Sequence, residues 1–358
     1  MFTGRSPYLL AQAVISAHDY TFARGRLAIS VPSKPWEHQG DAYTAYGHHR
    51  VQQILADEPM DDCFRNAPVV AQCSSLGTMS QKYIDELSAS FAPRGATEKK
   101  ACGKPSFQLI WPSVSEVQHS LEGWFGGGSV CGTKERLFKP ALVPLLHRWG
   151  GDVTGRQRAL PHMKTFLRYT ENEGSIRLPW VFLTSSNCSK AALGEAVNSK
   201  KYQAKLLRIL SFEMGIVLLP RYELAYRQSR WFGWSCTGDR TTSTTKTVAS
   251  VTSVHFVPWS STSPSEHLTD DRKTLVVPIP LPFPLPPRSY HLDPDSALAA
   301  KDADYESTPW FAPAEEADAW TGGDMLGNRY PGRGTYQGLT QRGTPDTLWQ
   351  DLFGSAGD

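Results

Sequence analysis

Apolar residues come along this chain in short continuous or alternating runs separated by Ser, Gly and Pro, the pattern of a mixed α/β protein. Arg26 to Val31 (RLAISV) alternates ahead of Pro32, and Phe107 to Pro112 (FQLIWP) and Leu178 to Thr184 (LPWVFLT) are apolar runs of strand length. Ser211 to Pro220 (SFEMGIVLLP) is a further strand, with one acid, Glu213, set before its most hydrophobic part. Helical spacing predicts helices over Tyr8 to Ala17 and over Leu137 to Trp149, and Ser189 to Val197 (SKAALGEAV) reads as a third behind a hydroxyl at the N-cap. Past Pro220 the texture changes. Tyr222 to Trp234 is aromatic and basic (Arg221, Arg227, Arg230), and Thr241 to Ser265 is rich in Ser and Thr and reads as part of a surface insertion over about 235–270. Val276 to Pro287 has six prolines in twelve residues, an extended polyproline-like connector, and Gly332 to Asp358 reads as a disordered tail.

Composition sets bounds on this picture. With 358 residues, 40% of them apolar and 20% charged, the chain has the material for a core. A net charge of +2 implies no general attraction to polyanions, so any nucleic-acid contact is a local patch. The six cysteines form no C-x-x-C pair and show no metal-ligand spacing with the histidines, which argues against a zinc site and a disulfide framework and for reduced thiols in an intracellular protein. The first residues lack the pattern of a signal peptide, and Tyr8 to Ile15 is too short to span a bilayer, so no membrane association is expected.

Candidate chemistry gathers between Pro161 and Pro220. In an extended strand alternate side chains share a face, so His162 and Lys164 are expected to point one way and Met163 into the opposite layer. Asn187 falls at the polar end of the Leu178 to Thr184 strand, and a carboxylate at Glu213 can accept the imidazole Nδ1 hydrogen and fix its tautomer. Imidazole, ammonium and carboxamide suit an anionic tetrahedral group such as phosphate: Lys and Asn bind its oxygens while His moves a proton. The same residues also read as unrelated polar positions on core strands, and a bare His-x-Lys does not choose between the two. Pro68 to Ser80 (PVVAQCSSLGTMS) places Ser74, Ser75 and Thr78 around Gly77, a loop able to offer backbone N–H and hydroxyl donors to phosphates or to be an ordinary turn. Lys99, Lys100 and Lys104 sit in a polar loop, and Leu121 to Gly128 (LEGWFGGG) is glycine-rich without the spacing of a nucleotide fingerprint.

HMKTFLRY followed by WVFLTSSNCSKAALGE and SFEMGIVLLP resembles the second His-Lys-Asn motif of the tyrosyl-DNA phosphodiesterases, a family of the phospholipase D superfamily. AYGHHRVQQIL, PVVAQCSSLGT, QLIWPSVSEVQHSLEGWFGGGS, TGRQRALPH, PIPLPFPLPP and the Trp310 to Pro331 region resemble family segments in family order, so the likeness runs from about Ser6 to Pro331. It implies an α/β chain with a phospholipase D-like mixed sheet flanked by helices, largely one of two pseudo-symmetric halves. Residues 1–67 would be the rest of the N-terminal half, 68–331 the catalytic half and 332–358 the tail. It further implies hydrolysis of 3′-phosphotyrosyl DNA, preferentially single-stranded, in nuclear DNA repair. His162 would be the general acid/base, Lys164, Asn187 and Glu213 its catalytic partners, and Ser74, Ser75, Thr78 and Ser186 substrate contacts, with neither metal nor cofactor.

The family uses two His-Lys-Asn sets, the first histidine attacking phosphorus. Of the ten histidines here only His162 has a lysine two residues on, and His48-His49-Arg50 lies at a helix start. The expectation is a truncated product or a half-enzyme. Its rivals are a non-catalytic DNA-binding half-domain and a homodimer in which two copies of His162-Lys164-Asn187 face each other.

Overall fold

The computed structural model describes residues 12, 14–18, 20, 23–32, 37, 39–58, 60–92, 105–231 (side chains to 228), 251–260, 265–290, 304–312 and 320–330. The expected Tyr8 to Ala17 helix falls largely outside them, as do Lys99, Lys100, Lys104 and the tail from 332. Among the described residues, a seven-stranded mixed sheet is built from β1 (Gly25–Ser30), β2 (Val69–Gln72), β3 (Phe107–Trp111), β4 (Leu146–Arg148), β5 (Lys164–Arg168), β8 (Val181–Thr184) and β11 (Glu213–Leu218). Two hairpins, β6 (Thr170–Asn172) with β7 (Ser175–Arg177) and β9 (Glu195–Ser199) with β10 (Ala204–Arg208), stand outside it. The order is β1-β11-β8-β5-β2-β3-β4.

The register decides where chemistry can gather. β5 runs antiparallel to both neighbours, with Lys164 opposite Thr184 of β8 and Thr165 opposite Gln72 of β2. β11 is antiparallel to β8, with Gly215 opposite Thr184. One edge of the sheet therefore collects the C-terminal ends of β2 and β8 and the N-terminal ends of β5 and β11.

Both faces of the central strands are covered, which is why β5 is buried along its whole length. On one face Phe166 and Phe182 pack against helices α1 (Gly47–Ala56) and α2 (Gln81–Phe91), the rings of Phe91 and Phe166 lying 4.9 Å apart. On the other, Val70, Leu167 and Val181 meet Val254, Phe256, Leu275 and Val277 from a three-stranded sheet of β12 (Ser253–Pro258), β13 (His267–Leu268) and β14 (Thr274–Ile279). Far from the site edge, the fully buried Arg168 closes β5 by donating to the carbonyls of Phe64 (2.6 Å) and Ala67 (2.9 and 3.1 Å).

Several expectations need correction. Leu137 to Trp149 is not one helix: short α3 (Val114–Gln118) and α4 (Lys134–Leu137) precede a 3₁₀ turn and strand β4, because Pro140 and Pro144 interrupt the helical ladder and Leu146 pairs with Leu109. The helix after Ser189 is only α5 (Lys190–Leu193). Ser189 does cap it, accepting from the Ala192 N–H at 3.2 Å, but Gly194 turns out at φ 94° and the chain continues as β9. Tyr222 to Trp231 belongs to helix α6 (Pro220–Trp231). The Ser/Thr-rich stretch is not all surface: Val254 and Phe256 of β12 are core residues, and β12 pairs in parallel with β14, whose last residues, Val276 to Ile279, open the expected proline-rich connector. Pro278 and Pro280 fit there because β14 ends at Ile279.

Candidate active site

Strand β5 begins at Lys164, so His162 and Met163 lie in the approach to it rather than in it. The expected alternation fails there: Met163 is 54% exposed instead of buried in a layer, because no partner strand extends past Lys164 to hold the pleat. His162 is exposed, while Lys164 is only 7% exposed and donates from Nζ to the His162 carbonyl at 2.6 Å. Burial pulls the Lys164 ammonium below its usual pKa against the opposing pull of Cys73, Glu213 and Cys131. Desolvation, and then the Lys164 charge, hold the His162 imidazole below its usual value, so its neutral form dominates at pH 7.

Asn187 is the joint of the site. Its Oδ1 accepts from the backbone N–H of Ser74 (3.2 Å) and Ser75 (3.0 Å), with the Ser74 hydroxyl at 3.4 Å. Two converging N–H donors identify that atom as the oxygen, which leaves the Nδ2 hydrogens as the free end of the amide. The two loops are also tied from below, where Cys73 precedes Ser74 and Cys188 follows Asn187. The buried Cys188 thiol is pushed well above its usual pKa by a hydrogen bond with Cys73 and by burial.

The hydroxyl loop therefore differs from its expected role. The amides of Ser74 and Ser75 are spent on Asn187, that of Leu76 on the Cys131 carbonyl (3.2 Å) and that of Gly77 on the Cys188 carbonyl (3.3 Å). The Ser74 hydroxyl is buried and turned toward Asn187, while Ser75 is half-buried and Thr78 exposed. Ser186 is buried, its N–H donating to Thr184 Oγ1 at 3.0 Å.

Glu213 stands two strand spacings from β5, roughly 10 Å, with β8 between them. Its carboxylate accepts the hydroxyl of Ser185, whose Oγ in turn accepts the Met214 N–H at 3.1 Å. Among the described residues it does not bond the His162 imidazole, contrary to expectation; it acts on Lys164 through its field. Ser185 was missed in the sequence, although it lies inside the Ser185-Ser186-Asn187 run. The arrangement offers, at one edge, a neutral imidazole, a buried ammonium, a carboxamide N–H₂ pair and exposed hydroxyls. That set can bind the oxygens of a phosphate diester, with an imidazole able to take up a proton and, once protonated, to deliver one.

The tyrosyl-DNA phosphodiesterase family profile matches residues 7–291. The chain belongs to this family. It is 36% identical over 217 residues to tyrosyl-DNA phosphodiesterase 1 of Arabidopsis thaliana, covering 61% of this chain and 34% of that protein. It is 32% identical over 204 residues to tyrosyl-DNA phosphodiesterase 1 of Drosophila melanogaster, 54% of this chain and 32% of the relative. The chain thus spans about a third of the length of these relatives. The crystal structure of the yeast tyrosyl-DNA phosphodiesterase aligns with a TM-score of 0.43 at 14% identity, over 79% of this chain and 59% of the yeast one. The family match covers β1 through the Pro-rich stretch and contains His162, Lys164, Asn187 and Glu213.

Proposed function

We propose that this chain supplies the acid/base half of a tyrosyl-DNA phosphodiesterase centre, acting on 3′-phosphotyrosyl and related 3′-protein adducts of DNA in nuclear repair, with single strands preferred. The observation that carries the reading is the Asn187 clasp, which joins the ends of β2 and β8 beside Lys164 through Oδ1 and does not use the amide N–H₂. Lys164 and Asn187 Nδ2 hold two non-bridging phosphate oxygens, with Ser75 and Thr78 as further hydroxyl contacts along the backbone.

In the family scheme a histidine attacks phosphorus and the tyrosine leaves, taking its proton from His162. Water then attacks the phosphohistidine, and His162 takes its proton, giving a 3′-phosphate and a free histidine. The lowered imidazole pKa suits the second step, and the charge of bound phosphate raises it for the first. Among these 358 residues no other histidine stands in a His-x-Lys, and in this reading the attacking group is not assigned to any of them. Among the described residues no helix is long and apolar enough to cross a bilayer.

One feature favours a second reading, the homodimer. On the outward face of β1 and β11, Leu27 and Ile29 pair across strands with Ile216 and Met214, and all four are exposed next to the Glu213 end of the site. Light scattering decides it, since a monomer excludes the dimeric centre. Turnover of a 3′-tyrosyl oligonucleotide tests the main reading: the monomer should bind the oligonucleotide in a salt-dependent way and cleave it negligibly. Robust cleavage by monomer would overturn the half-centre, and absence of binding would overturn the DNA reading.

A further inference from the structure

Helices α1 and α2 face each other over side chains that none of this chemistry uses. Gly47 opens α1 at φ 57°, and a Cβ there would lie 2.1 Å from the Leu193 carbonyl oxygen, so the helix starts hard against α5 and turns His48 and His49 inward. His48 is fully buried and His49 is 8% exposed. The Nδ1 of His49 lies 3.2 Å from Gln52 Oε1. A carboxamide oxygen only accepts, so Nδ1 carries the proton and Nε2 a bare lone pair. That Nε2 is buried with no hydrogen-bond partner.

His48 Nδ1 is 2.8 Å from Ser90 Oγ, and its Nε2 is 3.2 Å from Glu86 Oε1 in a contact too poorly aligned to be a hydrogen bond. Glu86 also accepts the Ala196 N–H at 2.9 Å. The ligand atoms of His48, His49 and Glu86 all lie within 4.8 Å of one another.

We propose that His48, His49 and Glu86 bind a divalent ion of the zinc class through two imidazole nitrogens and one carboxylate oxygen. Two neutral nitrogens and a single carboxylate suit a borderline cation and not Ca²⁺ or Mg²⁺, which want oxygen ligands. Bonds of about 2.1 Å at the tetrahedral angle put donors roughly 3.4 Å apart. His48 and Glu86 already have that spacing, and His49 Nε2 has to swing inward. Ser90, Gln52 and the Ala196 amide are the outer partners that orient the three ligands, as such sites require. The ion takes no part in phosphodiester chemistry. It pins α2 to α1, and α2 follows directly from the loop that carries Ser75 and Thr78, with Ser80 as its N-cap.

The test uses the full chain after chelator treatment, titrated with Zn²⁺ against a chromogenic chelator and with Co²⁺ by its visible d–d absorption. One ion per chain is expected, with a thermal midpoint raised by about 5 °C at saturating Zn²⁺. Glu86→Gln keeps an oxygen for the Ala196 amide, and His49→Phe keeps a ring against Tyr43 and His48, whose centroids lie 4.5 and 4.2 Å away. Each should weaken binding at least tenfold while the metal-free melting point holds. If His49→Phe fails to fold, Glu86→Gln decides alone. No saturable binding at micromolar Zn²⁺ overturns the site, and so does binding that both variants leave unchanged, which would place the ion on exposed groups such as Cys63, Cys131 or His162.

Discussion

Replacing Asn187 should separate holding the site together from the proposed holding of substrate, because the two roles fall to opposite ends of its amide. Asn187→Ala deprives the Ser74 and Ser75 amides of their acceptor. A buried donor left unpaired costs about 1 to 3 kcal/mol. Ser74 is buried and Ser75 half-buried, so water can reach the second amide in part, and the expected loss is about 2 to 4 kcal/mol. Asn187→Asp keeps an oxygen in place and makes its bonds charge-assisted, so it should stay within about 1 kcal/mol of the parent. It also replaces the N–H₂ group by a second oxygen, which repels phosphate. Urea denaturation followed by circular dichroism gives the stabilities, and fluorescence anisotropy of a 3′-phosphorylated oligonucleotide gives the affinities. The aspartate variant should fold nearly normally and bind at least tenfold more weakly, about 1.4 kcal/mol. A stable alanine variant, or an aspartate variant as unstable as the alanine one, would refute the clasp.

Other expectations follow from the same structure. Arg168→Leu should cost about 1 to 3 kcal/mol in urea denaturation, because it removes the guanidinium donors of the Ala67 carbonyl while Phe64 keeps the Ala67 N–H, and Arg168→Lys should recover little because an ammonium lacks the planar fork of donors. Lys164→Gln should raise the midpoint of the His162 imidazole in an NMR titration, since the Lys164 charge is one of the two causes that lower it; an unchanged midpoint would remove Lys164 from the electrostatics of the site. The Lys164 pKa is itself lowered, so the unfolded chain binds more protons than the folded one between the folded and unfolded values. Stability from this group should therefore rise as pH climbs through that window, and Lys164→Met should abolish that slope. Ser75→Ala with Thr78→Ala should weaken oligonucleotide binding without lowering stability, whereas Ser74→Ala should act through Asn187 and change both.

The parts of this fold legible in the sequence are those fixed by local physics. β3 and β8 announce themselves because central strands of a covered sheet need unbroken apolar runs, and Ser189 is visible as a cap because a hydroxyl before a short helical stretch satisfies an orphan N–H. What failed locally failed through competition. The leucines of Leu137 to Trp149 keep helical spacing, yet two prolines and a vacant edge on β3 draw Leu146 into the sheet. The site was half legible for the same reason. His162, Lys164 and Asn187 stand out by residue type, but which atom faces which is set by the register that brings residues 74 and 187 together across 113 positions. The separation of Glu213 from His162 follows only from the strand order, since β8 lies between their strands and sequence proximity cannot reveal that. His48, His49 and Glu86 were hidden twice, by the 37 positions that separate Glu86 from His49 and by a spacing that matches no metal motif. Their meeting depends on a positive-φ glycine that seats α1 against α5. In this chain residue type identifies the chemistry available, and the antiparallel register of β2, β5, β8 and β11 determines which groups meet at one edge of the sheet.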